Sequence, residues 1–282
     1  MSGQSHYHKL LSKWTSRHDE VKKKVWEKHL QPIAAGSMSA VMLFTGISSS
    51  LALPAPQPLV SQIQSTRQLD KKSALVLDLA LEVPKEVRAL NSAEGQTITR
   101  TLTDYFGITV SAELQEIRMN RNYGLIGAEQ HLPRFPGDSV TKQLKSNDDK
   151  AMFARSGMTP GVGAWRYFVN SEKELTQKVI EQEKWYIAAP TFAAPGFNEN
   201  VKEYKDFFKY RKVLVVNAKT GAAVVTDIAD AGPGQSTGKH LGGSPEVMHY
   251  LGLGEGPRKG AVVYFFIDDP NDTIPLGPLE PK

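Results

Sequence analysis

Asp230 is the side chain whose sequence context best suits acid–base chemistry. It follows the apolar run AAVVTDIA and precedes Ala-Gly-Pro, so it stands where a strand gives way to a loop. A carboxyl group there can protonate a leaving oxygen if partial burial raises its pKa. His240 lies in the same loop. We take it as a candidate catalytic partner of Asp230, with an ordinary exposed loop residue as the alternative.

A second acidic–histidine pair, Glu129 and His131, lies in the Gly- and Pro-rich stretch 123–139. The spacing is not that of a helical HExxH motif and no third ligand is evident, so no metal site or cofactor is predicted. We expect the two side chains to tie down a loop by hydrogen bonds, although the stretch can also line a groove.

Three elements must position the Asp230 loop. The β-branched runs KVLVVN and AAVVTDI, joined by AKTG, predict a hairpin over residues 212–228. SPEVMHYLGL predicts a short helix with Ser244 as N-cap, Pro245 at its first position and Gly252 after its end. KGAVVYFFID then predicts a closing strand.

This order of elements resembles the double-psi β-barrel of the rare-lipoprotein-A, barwin and expansin group. The positions that match the family's hairpin, Asp-x-Gly-Pro and Leu-Ser…Leu-Gly patterns are Asn217, Gly221, Asp230, Gly232, Pro233, Ser244, Leu251 and Gly252. The match covers residues 212–267, about a fifth of the chain. At Asp227 the family often has an outward Arg, so we expect Asp227 to be a solvated strand residue.

The resemblance implies an α+β protein with a six-stranded double-psi β-barrel over residues 151–282. GMTPGVGAWRYF, residues 157–168, suits its first strand, and KWYIAAPTF at 184–192 is also β-prone. Helices are predicted from Ser171 to about residue 183 and over 199–210. Residues 73–150 are predicted to be mainly helical and to cap the barrel, with helical spacing at 97–106 and 111–122 separated by a stop at Gly107.

The N-terminus predicts export. Residues 1–32 form a basic segment expected in the cytoplasm, and residues 33–53 contain no charged side chain. As a helix, the latter would span about 30 Å, one hydrocarbon core. It is a signal anchor or a cleavable signal peptide, so the C-terminal domain lies outside the membrane or is secreted. Residues 54–72 are predicted to be a linker.

Charge and composition exclude two classes of function. The first 55 residues hold seven Lys/Arg and three Asp/Glu, so the remaining chain has 27 of each and no net charge. This distribution argues against a nucleic-acid partner. With no cysteine in the sequence, disulfide and thiolate chemistry are excluded.

The resemblance implies a bacterial cell-envelope protein similar to lytic transglycosylases, which cleave peptidoglycan with one carboxyl group, here Asp230. The candidate substrate-binding residues are Asn217, Ser236, Thr237, Lys239, Ser244 and Trp165, the last as one of several aromatics able to stack on sugars. The family's His before the hairpin is absent, and Gly242-Gly243 replaces its second Asp. The alternative is therefore a non-catalytic polysaccharide- or protein-binding barrel of the envelope.

Overall fold

The computed structural model describes residues 59–282, with side chains from residue 71 onward, and Gln57–Lys282 form one compact unit. The predicted basic segment 1–32 and membrane segment 33–53 lie outside the described residues. Within residues 59–282, none of the helices combines the length and the apolar character needed to cross a membrane.

The described residues form seven α-helices. They are α1 (Leu59–Glu82), α2 (Ser92–Phe106), α3 (Val140–Gln143), α4 (Asn147–Phe153), α5 (Gln177–Lys184), α6 (Val201–Phe208) and α7 (Pro245–Tyr250). Because α1 begins at Leu59, residues 59–72 of the predicted linker are helical instead. No proline interrupts this stretch, which is rich in Leu, Gln and Lys, residues that favour helix.

Six strands close into one barrel. They are β1 (Tyr123–Ala128), β2 (Tyr186–Ala189), β3 (Lys212–Asn217), β4 (Ala222–Ala231), β5 (Leu241–Gly243) and β6 (Lys259–Ile267). The ring order is β1-β5-β2-β4-β3-β6, and β6 returns to β1. The α+β class and the closed mixed barrel are therefore confirmed.

The barrel has an internal two-fold symmetry in its connectivity. The pairs β1–β5 and β2–β4 are parallel, and the other four neighbouring pairs are antiparallel. Replacing each strand by the one three places along the chain leaves the ring order and the strand directions unchanged. Each parallel pair joins one strand from the first half of the barrel to one from the second half, so neither half closes alone.

The β3–β4 hairpin forms where the sequence predicts it. The two strands pair antiparallel from Lys212 opposite Asp227 to Asn217 opposite Ala222. Gly221 closes the turn with a φ of 71°, a left-handed conformation that glycine adopts without steric cost. The predicted closing strand and the helix capped by Ser244 are likewise confirmed as β6 and α7.

Apolar side chains fill both sides of the barrel wall. Alternate residues point inward from each strand, among them Ile126, Ile187, Val215 and Tyr264, and form one core cluster. A second cluster lies outside, where α1 and α2 pack on β3, β4 and β6. These two helices cover part of the outer face of the barrel, and the rest of the range 73–150 also holds short strands and the first barrel strand. As expected, α2 ends at Gly107, whose φ is 63°.

The barrel begins earlier in the chain than predicted. Its first strand is β1, which lies before the predicted boundary at residue 151, and residues 157–168 are irregular apart from single bridges. The glycines of YGLIGA, part of the Gly- and Pro-rich stretch expected to form a loop, instead leave room for side chains of a later segment to lie against β1. A Cβ on Gly124 would lie 2.7 Å from Cβ of His240.

Two helix predictions were also wrong in detail. Residues 111–122 are not helical but contain the two-residue strands Val110–Ser111, Glu113–Leu114 and Ile117–Arg118. The first of these pairs with β6, a long-range contact that overrides local helical spacing. The helix expected from Ser171 begins at Gln177, because Thr176 is its N-cap, while Glu172–Glu174 form only a 3₁₀ turn. A last short strand, Gly277–Leu279, pairs with β4.

Candidate functional site

Asp230 lies at the end of β4, where an irregularity turns it toward a neighbouring loop. Tyr186 pairs with Asp227 and Ile187 with Ile228, but Ala188 pairs with Asp230, so one extra residue is accommodated in β4. Oδ1 of Asp230 accepts hydrogen bonds from the amides of Ala164 and Ala231, both at 2.8 Å. Among residues 71–282, the structure places no hydrogen-bond donor on Oδ2.

The Ala164 contact brings an aromatic side chain to the same loop. Gly163 fits tightly there, since a Cβ would lie 2.8 Å from the carbonyl oxygen of Ala229. The next side chain along, Trp165, is half-buried and donates from Nε1 to the carbonyl of Lys205 at 3.2 Å. Asp230 therefore positions a segment 66 residues earlier in the chain and, with it, an indole ring.

Lys239 and His240 are both tied to β1. Nζ of Lys239 lies 2.7 Å from Oε1 of Glu129 and donates to the carbonyl of Ala128 at 3.1 Å. Nδ1 of His240 accepts the amide of Leu125 at 2.9 Å, so in the neutral ring the proton is on Nε2. Partial burial, reinforced by the positive charges of Arg121 and Lys259, lowers the pKa of His240 and favours this neutral form.

The loop between Asp230 and Lys239 is the exposed part of the predicted site. Ser236 and Thr237 lie in the 3₁₀ turn Gln235–Thr237 and are exposed. Oγ1 of Thr237 already donates to the carbonyl of Gly234 at 2.7 Å. Ser236 is therefore the better placed of the two hydroxyls for a ligand.

Asn217 and Ser244 are placed elsewhere, inside the protein. Asn217 is 5% exposed, donates from Nδ2 to the carbonyl of Leu251 and accepts the amide of Lys219 on Oδ1. Ser244 is 0% exposed, donates to the carbonyl of Lys184 at 2.6 Å and caps α7. Both predicted binding residues thus have their polar atoms engaged within the protein, one bond of each linking an end of α7 to another element, and both are buried.

A buried acid–histidine cluster was missed by the sequence analysis. His131 was expected to tie down a loop together with Glu129, but its partner is Glu183, whose Oε1 lies 3.3 Å from Nδ1. Burial alone lowers the pKa of His131, but Glu183 and Glu246 outweigh it, so the net pKa is raised. Burial raises the pKa of Glu246 to about 7, although His131 acts in the opposite direction.

Asp227 is not solvated as predicted. It points away from the barrel interior, as expected, but it is only 1% exposed because α5 and the segment around residue 274 cover this face. Its two carboxyl oxygens have no hydrogen-bond partner among the described residues. A charged residue within the apolar run AAVVTDI was the signal in the sequence that could have marked it.

Most aromatic side chains considered for sugar stacking belong to the core. The buried ones are Trp185, Tyr186, Phe207 and Phe208. Tyr167 is 37% exposed and Trp165 half-buried, so these two alone of the group present a ring to solvent.

Comparisons with known proteins give no relative for this chain: no family model, no curated protein and no solved structure matches it. Within the part of the chain that the structure describes, no three His, Cys, Asp or Glu side chains are grouped so as to hold a metal ion.

Proposed function

We propose that this chain is a cell-envelope protein whose double-psi β-barrel binds wall polysaccharide, peptidoglycan in particular, through the loop surface around Asp230. Two interleaved parallel strand pairs and the two-fold connectivity support the double-psi assignment. Residues 33–53 would tether the barrel to the outer side of the membrane, or be removed on secretion.

One observation carries the binding proposal: Oδ1 of Asp230 is fixed by two backbone amides, while Oδ2 has no donor among the described residues. A fixed carboxylate oxygen with spare acceptor capacity can take the hydroxyl protons of a sugar. The half-buried ring of Trp165, one residue beyond the fixing amide of Ala164, supplies an apolar face of the kind that sugars pack against.

Binding is favoured over cleavage by the surroundings of Asp230. Oδ1 of Asp230 accepts two backbone amides, which hold the carboxyl group in place as a hydrogen-bond acceptor. His240, the candidate partner, has Nδ1 engaged by the amide of Leu125 and so cannot act as a base through that atom. The polar neighbours of Asp230 thus hold the loop in shape rather than prepare proton transfer.

Glycan cleavage is the second candidate, and the same Oδ2 favours it. A lytic transglycosylase needs one carboxyl group that protonates the leaving oxygen and then assists ring closure by the sugar's own hydroxyl. Under this candidate Oδ2 of Asp230 would carry the proton, and His240, whose Nδ1 is engaged by the amide of Leu125, would contribute only the Nε2–H as a hydrogen-bond donor.

Sedimentation of the full-length chain with purified peptidoglycan tests the proposal. We expect the wild type to co-sediment and Asp230→Asn, which keeps an Oδ1 acceptor but removes the charge, to bind about tenfold more weakly, a change of about 1.4 kcal/mol. Asp268→Asn is the matched control, because Asp268 is exposed at the end of another barrel strand.

The soluble fraction of the same samples distinguishes the two candidates. Binding without anhydro-sugar products supports a binding barrel. Products that vanish in Asp230→Asn but persist in Asp268→Asn support cleavage by Asp230. If the wild type neither sediments with peptidoglycan nor releases products, the proposal that its ligand is peptidoglycan is wrong.

A further inference from the structure

A surface pocket of about 520 Å³ lies between α6 and the short hairpin 113–118. Ile117 and Phe207 give it an apolar wall. Its polar lining residues are Gln115, Asn200, Lys202, Glu203, Asp206 and Arg211. None of them is among the residues proposed above to bind polysaccharide, so the pocket is a separate candidate site.

The guanidinium of Arg211 is held in one orientation at the edge of this pocket. Its Nε donates to the carbonyl of Phe207 at 3.0 Å, and its central carbon lies 4.3 Å from the centre of the Phe207 ring. Partial burial lowers the pKa of Arg211, and the negative charge of Asp268 acts in the opposite direction. The positive charge is therefore partly withdrawn from water while its position is fixed.

The two terminal nitrogens of Arg211 remain available to a ligand. Among residues 71–282, the structure places no acceptor on Nη1 or Nη2 and no carboxylate within ion-pair distance of them. Neither nitrogen is sealed from solvent. Because a planar fork of N–H donors matches the two oxygens of a carboxylate, Arg211 presents a ready-made carboxylate partner to the pocket.

Glu203 supplies the opposite charge in the same pocket. It is exposed in the first turn of α6, and one of its oxygens accepts Nδ2 of Asn200. In the part of the chain with described side chains, no cationic group lies within ion-pair distance of it. The other two charged lining residues, Lys202 and Asp206, pair with each other at 3.8 Å. The lining charges therefore sum to zero, but one positive and one negative group remain unpaired.

The two unpaired groups lie about one helical turn apart on one side of α6. Glu203 precedes Phe207 by four residues, so their side chains share a face and are offset by about 6 Å along the axis. The Arg211 guanidinium stacks on that same Phe207 ring. A ligand whose ammonium and carboxylate are joined to one carbon atom can bridge this interval with a hydrogen bond of about 2.9 Å at each end.

The hairpin turn on the other side of the pocket adds a neutral polar group. Gln115 and Glu116 have φ values of 52° and 65°, left-handed conformations that neither residue type favours. This turn places Gln115 in the pocket lining, and its exposed amide has no hydrogen-bond partner among residues 71–282. The amide can therefore donate to or accept from a bound ligand.

We propose that this pocket binds a zwitterionic α-amino acid group, with its carboxylate on Arg211 and its ammonium on Glu203. A zwitterion suits lining charges that sum to zero but stand apart. A ligand with only a carboxylate would leave Glu203 without a partner, and a ligand with only an ammonium would leave Arg211 without one.

Ligand-observed NMR titrations of the full-length chain with leucine, N-acetyl-leucine and leucinamide test this assignment. Leucine carries both charges, N-acetyl-leucine lacks the ammonium and leucinamide lacks the carboxylate. The leucine side chain adds no charge or hydrogen bond of its own. At about pH 6 the free amines are protonated, so the three probes differ only in the groups that Arg211 and Glu203 would contact.

The expected losses differ because the two protein groups differ in exposure. Leucinamide should bind about tenfold more weakly than leucine, since the half-buried guanidinium of Arg211 loses its carboxylate partner. N-acetyl-leucine should bind about threefold more weakly, since Glu203 is exposed and water screens its ion pair. Equal binding of the three probes to the wild type, or no binding of leucine, would overturn the proposal.

Two variants assign each charge separately. Arg211→Gln should lose the preference for leucine over leucinamide and keep the preference over N-acetyl-leucine, and Glu203→Gln should show the reverse. Lys205→Gln is the matched control, because Lys205 is exposed on α6 outside the pocket and its variant should keep both preferences.

Unchanged preferences in Arg211→Gln would mean that Arg211 only caps the end of α6, which would also overturn the proposal. If Arg211→Gln does not fold, the three probes on the wild type and on Glu203→Gln still decide the question.

Discussion

The buried carboxyl of Glu246 should make stability depend on pH in a defined direction. Glu246 is 6% exposed at the start of α7, near Glu183 and His131, and burial raises its pKa from 4.5 to about 7. Well below pH 4.5 Glu246 is protonated in both the folded and the unfolded chain, so it does not lower the free energy of unfolding. Between these two values only the unfolded chain loses the proton, so the free energy of unfolding falls as pH rises.

The magnitude follows from the change in pKa. A rise from 4.5 to about 7 corresponds to about 3 kcal/mol, fully expressed above the higher value. The glutamine of Glu246→Gln cannot titrate, so the variant lacks this decrease in the free energy of unfolding. We therefore expect the stability of the variant relative to wild type to increase by about 3 kcal/mol from about pH 4 to about pH 8. Any change in stability that the buried amide causes equally at both pH values cancels, because only the difference between the two pH values is compared.

Urea denaturation followed by tryptophan fluorescence measures the effect in the full-length chain. The raised pKa of His131 also makes stability fall as pH rises past its folded value. Because Glu246 contributes to that rise, Glu246→Gln removes part of this second loss as well, which acts in the same direction; the part due to Glu183 is present in both proteins and cancels. Glu255→Gln is the control, since that glutamate side chain is 89% exposed and should show no such trend. A Glu246→Gln variant whose stability relative to wild type does not change with pH would refute this reasoning.

Three further changes test the packing. Asp138→Asn should cost about 3–5 kcal/mol, because it leaves the buried guanidinium of Arg134 without its carboxylate partner at 2.8 Å; an urea midpoint equal to wild type would contradict this. Gly163→Ala should destabilise by about 1–3 kcal/mol, since the new Cβ would meet the carbonyl of Ala229, and calorimetry measures it. Leu79→Ala should cost about 2–5 kcal/mol in the same assay if α1 is part of the cooperative core, and almost nothing if it is not.

Short-range signals predicted the second half of the barrel. Two β-branched runs joined by a turn that contains Gly221 predicted the hairpin of β3 and β4. Ser244 followed by Pro245 predicted the start of α7. These signals act over a few residues, where backbone sterics and capping hydrogen bonds decide the conformation. Asp230 was also predicted correctly to lie at the end of a strand, because it follows the apolar run and precedes Ala-Gly-Pro.

The tertiary structure alone decided which strand opens the barrel and what each acidic side chain does. YGLIGA becomes β1 because β5 and β6, more than 100 residues later in the chain, pair with it. Asp230 accepts an amide from a segment 66 residues away. Asp227 is buried by α5 and residues 272–276, which no local pattern places over β4. Burial and pairing depend on distant segments meeting, whereas the sequence pattern reports only neighbours.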